Sequence, residues 1–160
     1  MSKQEYSSRL VGLWHVALQV QNLAKSRAFY QDILGMKVVW EPDADNLYLS
    51  LGRDNLALHV AKDAPTTPHA ISSLDHIGFI VSCREDVDFM AKHMEQSGVP
   101  IVKPTRLHRD GSYSFYIDDP DGNSVQILYE PHIALPMCAN EPTAPSNPHP
   151  IHFQVGGGNR

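Results

Sequence analysis

Nine histidines in 160 residues supply enough imidazole for metal binding or acid–base work, and two of them hold matched places. Leu13-Trp-His15-Val-Ala-Leu-Gln-Val20 and Leu74-Asp-His76-Ile-Gly-Phe-Ile-Val81 are two versions of one phrase, with histidine third in each. Each copy is followed by a helical stretch, a glycine (Gly35, Gly98) and β-rich sequence. Such self-similarity marks an internal repeat. A metal-capable side chain at the same strand position of both copies brings two ligands together at the pseudo-twofold axis between them. Imidazole is a good ligand for Zn, Fe, Ni and Cu.

Strand parity gives the direction of these side chains, because successive residues point to opposite faces. Trp14, Val16, Leu18 and Val20 share one face, and Leu13, His15, Ala17 and Gln19 the other. His76 likewise lies opposite Ile77, Phe79 and Val81. The apolar faces should pack on helices, so both histidines should point to the far side of the sheet. On the last strand of copy one, His59 lies with Ala57 and Ala61, opposite Leu56, Leu58 and Val60. On the last strand of copy two, Gln126 lies with Leu128 and Glu130, opposite Val125, Ile127 and Tyr129. Four coordinating groups, His15, His59, His76 and Gln126, could thus surround one cavity. A lone strand histidine is usually a hydrogen-bonded structural residue, but the repeat favours metal binding for His15 and His76. His59 stays open as a fourth ligand or a base. Glu130 is four strand residues, ~13 Å, beyond Gln126, which makes it a cleft-rim residue or a fallback ligand. Leu49, Ala57, Ile80 and Tyr116 are expected to line a partly apolar cavity. His93 should be solvated on a helix. His69, His132, His149 and His152 fall in linker or tail sequence.

The elements that must position these residues repeat as well. Asn22 can cap a helix running to about Leu34, with an apolar stripe of Phe29, Tyr30, Ile33 and Leu34 and with Gly35 at its end. Strand-like runs follow at Met36–Glu41, Leu47–Leu51 and Leu56–Ala61, separated by turn signals at Pro42–Asn46 and Gly52–Asn55. In copy two, Ser82 and Glu85 have the spacing of a capping box. Val87, Met90, Ala91 and Met94 form the stripe, and Gly98-Val-Pro100 stops the helix. Strands are expected at Pro100–Pro104, Tyr113–Ile117 and Asn123–Tyr129, with a strong turn at Asp118–Asn123. The fold class is therefore α+β, with two tandem βαβββ modules forming curved mixed sheets around a cleft and helices outside. The expected boundaries are a lead-in at 1–10, module 1 at 11–61, a linker at 62–73, module 2 at 74–131 and a Pro/Gly-rich arm at 132–160.

The bulk numbers exclude some functions. A net charge of −5 leaves no basic footprint for nucleic acid. No apolar run approaches the ~20 residues of a membrane span. The first residues lack a signal-peptide core, and the two cysteines, Cys83 and Cys138, make no disulfide framework. A reduced, cytoplasmic setting is the expectation.

The paired βαβββ modules, the opening Leu13–Val20 phrase, Ser26-Arg-Ala-Phe-Tyr-Gln-Asp-Ile-Leu-Gly35 and the turn Asp119-Pro-Asp-Gly-Asn123 together resemble the vicinal oxygen chelate superfamily. That superfamily includes glyoxalase I, type I extradiol dioxygenases and bleomycin-binding proteins. The resemblance covers about residues 10 to 131. His108 before Phe115-Tyr116, and then Asp119-Pro-Asp-Gly122, is most similar to an extradiol, catechol-type ring-cleaving dioxygenase. The resemblance implies His15 and His76 as two ligands of a 2-His-1-carboxylate iron site, His59 as the base, and His108 and Tyr116 on the substrate oxygens. The third ligand position carries Gln126 where a glutamate is usual. A neutral amide there should weaken Fe(II) binding and leave a more Lewis-acidic ion. The implied cofactor is a divalent ion, Fe(II) or Mn(II), or else Ni(II), Co(II) or Zn(II) for a glyoxalase I-like lyase or isomerase. A metal-free ligand-binding or drug-resistance protein is the third alternative, with Trp40 and Tyr116 as stacking residues; Trp14 should face the helix instead. The implied substrate is a small molecule with adjacent oxygens. Exposed sheet edges and the module pairing of the superfamily imply a homodimer.

Overall fold

Alternating burial along the first strand sets the first sheet. In β1 (His15–Val20), Leu18 and Val20 are buried while His15, Ala17 and Gln19 are exposed, the parity expected of a half-buried strand. This computed structural model describes residues 12–62 and 74–131; the expected lead-in, the arm and nearly all of the linker lie outside the described residues. These residues form two compact units, one running up to Ile77 together with Asp118–Ser124, the other comprising Gly78–Ile117 and the chain from Val125 onward.

In the first unit, Asn22 caps α1 (Leu23–Arg27), its side chain accepting from the Lys25 amide at 3.0 Å. The helix expected to reach Leu34 does so, but not as a uniform α-helix. Ala28–Ile33 widens into a π-type winding in which the Leu34 amide donates to the Phe29 carbonyl, 3.0 Å away. Such widened turns are rare. Here the winding accompanies the burial of two successive aromatics, Phe29 and Tyr30, which meet edge to face with centroids 5.0 Å apart. Gly35, at φ +76°, then takes the left-handed turn that ends the helix. Three strands follow: β2 (Lys37–Asp43), β3 (Asn46–Ser50) and β4 (Asn55–Val60).

The sheet order is β1-β4-β3-β2, with β1 parallel to β4 and the other pairs antiparallel. Leu49 pairs with Leu56 and is fully buried. It therefore joins the core face with Leu47 and Leu58 instead of lining a cavity, and Tyr48, opposite Ala57, lies on the other face. Trp14 lies ahead of β1 and is 51% exposed, not packed on the helix.

In the second unit the order is β5-β8-β7-β6, from β5 (Ile77–Ile80), β6 (Ile101–Leu107), β7 (Tyr113–Asp118) and β8 (Ser124–Tyr129). Helix α2 (Arg84–Gln96) buries Val87 and Met94, and the sheet buries Phe115, Ile117, Val125 and Ile127. Each such side chain contributes ~1.5–3 kcal/mol by leaving water. The N-cap of α2 is Cys83, without a side-chain capping bond, so the expected Ser82 capping box does not form. Cys83 is buried. No helix among the described residues is long and apolar enough to cross a membrane.

The turn Asp119–Asn123 is a pin for α1. The Tyr30 hydroxyl donates to Asp119 Oδ2 at 2.7 Å. Asp119 also accepts from the Asp121 and Asn123 amides and from Asn123 Nδ2. The Asp121 carboxylate accepts from the Gln21 amide and the Ser26 hydroxyl. Burial and the Asp119 carboxylate together hold the Tyr30 phenol well above its ordinary pKa. The Asp119-Pro-Asp-Gly122 turn thus has a structural duty, independent of any substrate.

Candidate functional site

Three histidines are held by the same nitrogen. His15 Nδ1 donates to Asn55 Oδ1 at 2.6 Å, across the β1–β4 pair. His59 Nδ1 donates to Asn46 Oδ1 at 2.5 Å, across β4–β3. His76 Nδ1 donates to the neighbouring Asp75 carboxylate at 2.5 Å. A carbonyl or carboxylate oxygen only accepts, so Nδ1 carries the hydrogen in each ring and the lone pair sits on Nε2. Metal-binding histidines are oriented this way, by an outer oxygen on the non-ligating N–H.

His108 differs. Its Nε2 bonds Ser114 Oγ at 2.9 Å, so it is anchored through Nε2 rather than Nδ1. Ser114, 1% exposed, also accepts from Gln126 Nε2 at 2.9 Å. The Gln126 amide nitrogen is thereby used, and its Oε1 remains as the donor atom. A Cβ added at Gly78 would lie 3.9 Å from that oxygen and 3.1 Å from Leu128 Cδ2; glycine keeps the space beside the amide clear.

A cavity of about 400 Å³ opens in the second unit, lined by Lys103, Pro104, Thr105, Arg106, His108, Ser114 and Tyr116. Lys103 Nζ stands 4.4 Å from the Tyr116 ring centroid, a cation–π distance. In the turn after β6, hydrogen bonds from the Ser112 hydroxyl and amide hold the Asp110 carboxyl below its ordinary pKa. Of the residues singled out from sequence, His108 and Tyr116 line this cavity; His15, His59, His76 and Gln126 do not.

His59 is paired with Gln19, four residues along β1 from His15, which is ~13 Å at strand rise. Among the described residues, no three His, Cys, Asp or Glu side chains gather. Glu130 directly follows β8.

Residues 12–127 match the Glyoxalase/Bleomycin resistance protein/Dioxygenase superfamily. The chain belongs to this superfamily. A glutathione transferase, FosA from Serratia marcescens, is 31% identical over 138 residues, spanning 84% of this chain and 93% of that protein. The 2,2',3-trihydroxybiphenyl dioxygenase of Sphingomonas paucimobilis is 27% identical, over 77% of this chain but only 42% of the dioxygenase. The crystal structure of a lactoylglutathione lyase from Agrobacterium tumefaciens superposes with a TM-score of 0.63 at 28% identity, covering 75% of this chain and 94% of that one. Superfamily members are metal-dependent transferases, dioxygenases and lyases, and the two mixed sheets with one helix each have the architecture of that fold.

The donors present fit a divalent ion chemically. The imidazoles of His15 and His76 and the amide oxygen of Gln126 are each neutral donors of a kind that suits borderline divalent metals. Several residues that hold this chemistry escaped the sequence reading: Asn55, Asn46 and Ser114, which orient His15, His59 and Gln126, and Lys103, which stands over Tyr116. Their only signals are amide or hydroxyl residues on strands next to a histidine.

Proposed function

We propose that this protein is a divalent-metal-dependent enzyme acting on a small anionic molecule with two adjacent oxygens, with His15, His76 and Gln126 as metal ligands. The observation that carries this reading is the Nδ1 anchoring of His15 and His76, which presents each ring as a ligand is presented. A bound divalent ion would supply Lewis acidity to the two substrate oxygens. The residues of this chain do the rest. Lys103 and Arg106 give the cavity positive charge for an anionic group. Tyr116 offers a hydroxyl and a ring face, and His108 is steadied by Ser114. His59, with Nδ1 tied down, has Nε2 to accept a proton as a general base. The length match to a glutathione transferase supports transfer or lyase chemistry.

Extradiol ring cleavage is the second reading, favoured because His108 and Tyr116 line the same cavity. The test is a Mn(II)-loaded protein titrated with oxalate, a small dianion with adjacent oxygens, and with catechol. Oxalate binding that requires both the metal and Lys103 supports the first reading. Oxygen uptake with catechol supports the second. Binding of neither, with metal bound, would refute both.

A further inference from the structure

We infer that Asn46 and Asp43 are positioning residues that fix His59 as a base acting through Nε2. This inference rests on the proposed role of His59. It begins with a chain of three groups on adjacent strands. Asn46 Nδ2 donates to Asp43 Oδ1 at 2.7 Å, and Asn46 Oδ1 accepts from His59 Nδ1 at 2.5 Å.

The order of that chain is forced. An ionised carboxylate only accepts, so Asp43 obliges the Asn46 amide to turn its NH₂ toward β2. The amide carbonyl then faces β4, and a carbonyl obliges His59 to carry its hydrogen on Nδ1. An exposed asparagine alone could flip; one tied to a carboxylate cannot do so without losing a bond. The Asp45 amide donates to the same Asp43 oxygen at 2.9 Å, which fixes the carboxylate within the β2–β3 turn. These bonds hold the Asp43 carboxyl below its ordinary pKa, chiefly through Asn46 and then through the Asp45 amide, with a smaller contribution from His59.

The ring is also braced sideways. Tyr48 meets His59 edge to face at 5.7 Å, and Trp40 lies against Tyr48 at 4.9 Å. Gln19 is its register neighbour on β1. Among the described residues, the groups that face His59 are therefore Asn46 and Tyr48 on β3, Gln19 on β1 and, through Asn46, Asp43 on β2.

The consequence is a directed proton transfer. His59 Nε2 takes a proton from a substrate O–H, or from a C–H beside a carbonyl; the bond to that proton breaks and its electron pair stays on the substrate. The resulting imidazolium keeps its Nδ1–H on Asn46, whose own N–H points at the Asp43 carboxylate. The proton on Nε2 then returns to the product or leaves to water. No oxidant or further reactant is needed.

The test is ¹⁵N NMR of the histidine rings in the full chain, with neither metal nor substrate added. The expected result is a neutral His59 protonated on Nδ1. Asn46→Leu should shift it toward the Nε2–H form, and Asn46→Asp should keep Nδ1–H and raise the His59 pKa. Asp43→Asn should lower that pKa while leaving the thermal midpoint unchanged, which a merely structural contact would not do. A wild-type His59 protonated on Nε2, or a tautomer indifferent to both Asn46 variants, would overturn the inference. So would a His59 pKa that Asp43→Asn leaves unmoved. Because the readout uses no metal, failed metal binding would refute the functional reading separately.

Discussion

Replacing Tyr30 with phenylalanine removes one oxygen from the most buried polar contact of the first unit. Tyr30 is 0% exposed and Asp119 5%, and the hydroxyl donates to Asp119 Oδ2 at 2.7 Å. Phenylalanine keeps the ring and its edge-to-face contact with Phe29, so no sizeable cavity forms. What is lost is a hydrogen bond to a charged acceptor, ~1.5–3 kcal/mol. Asp119 retains three donors: the Asp121 and Asn123 amides and Asn123 Nδ2. The carboxylate is thus not orphaned, and the loss should stay near ~2 kcal/mol. For a domain of this size that corresponds to a fall in Tm of about 4–8 °C. Asp119→Ala removes all four bonds and should be worse by more than twofold. Urea unfolding monitored by far-UV circular dichroism reads both values. A Tyr30→Phe loss under ~0.5 kcal/mol, or an Asp119→Ala variant as stable as a surface substitution, would refute the assignment of this turn as the pin of α1.

The same phenol predicts alkaline behaviour. Its folded pKa is raised, so its contribution is full below the unfolded value of ~10 and is lost as pH climbs above it, at about 1.4 kcal/mol per pH unit. Urea midpoints between pH 9 and 11 should fall more steeply in wild type than in Tyr30→Phe. Lys103→Met should weaken oxalate binding to the Mn(II)-loaded protein by ~10-fold or more, the worth of one charged contact, with no change in metal affinity by isothermal titration. Gly78→Val sets a Cβ 3.1 Å from Leu128 and should cost ~1–3 kcal/mol by overpacking, read as a lower urea midpoint.

Much of the fold was written in local chemistry. Asn22 and Gly35 mark the ends of the first helix, and the alternation around His15 matches the burial of Leu18 and Val20. The misses have physical causes. The π-type widening of Ala28–Ile33 keeps nearly the same apolar stripe as an α-helix, so periodicity cannot distinguish the two. Leu47 to Leu51 alternates with leucine on the odd positions, and only pairing with Leu56 shows that Leu49 faces the core. Ser82 and Glu85 have capping-box spacing, yet Cys83 takes the N-cap. The proposed ligands His15 and His76 stand out because the repeat doubles them. The partners of the histidines do not, since Asn46 reads as a turn former and its bond to His59 depends on β3–β4 register.

Metal content tests the central claim most directly. Protein purified without chelators, then titrated with Mn(II), Fe(II), Ni(II) and Zn(II), should bind one divalent ion per chain. His15→Ala and His76→Ala should each weaken that binding at least tenfold, and Gln126→Glu should tighten it by adding a negative charge to a neutral donor set. A chain that binds no divalent ion, or one whose affinity is untouched by either histidine variant, would contradict the account.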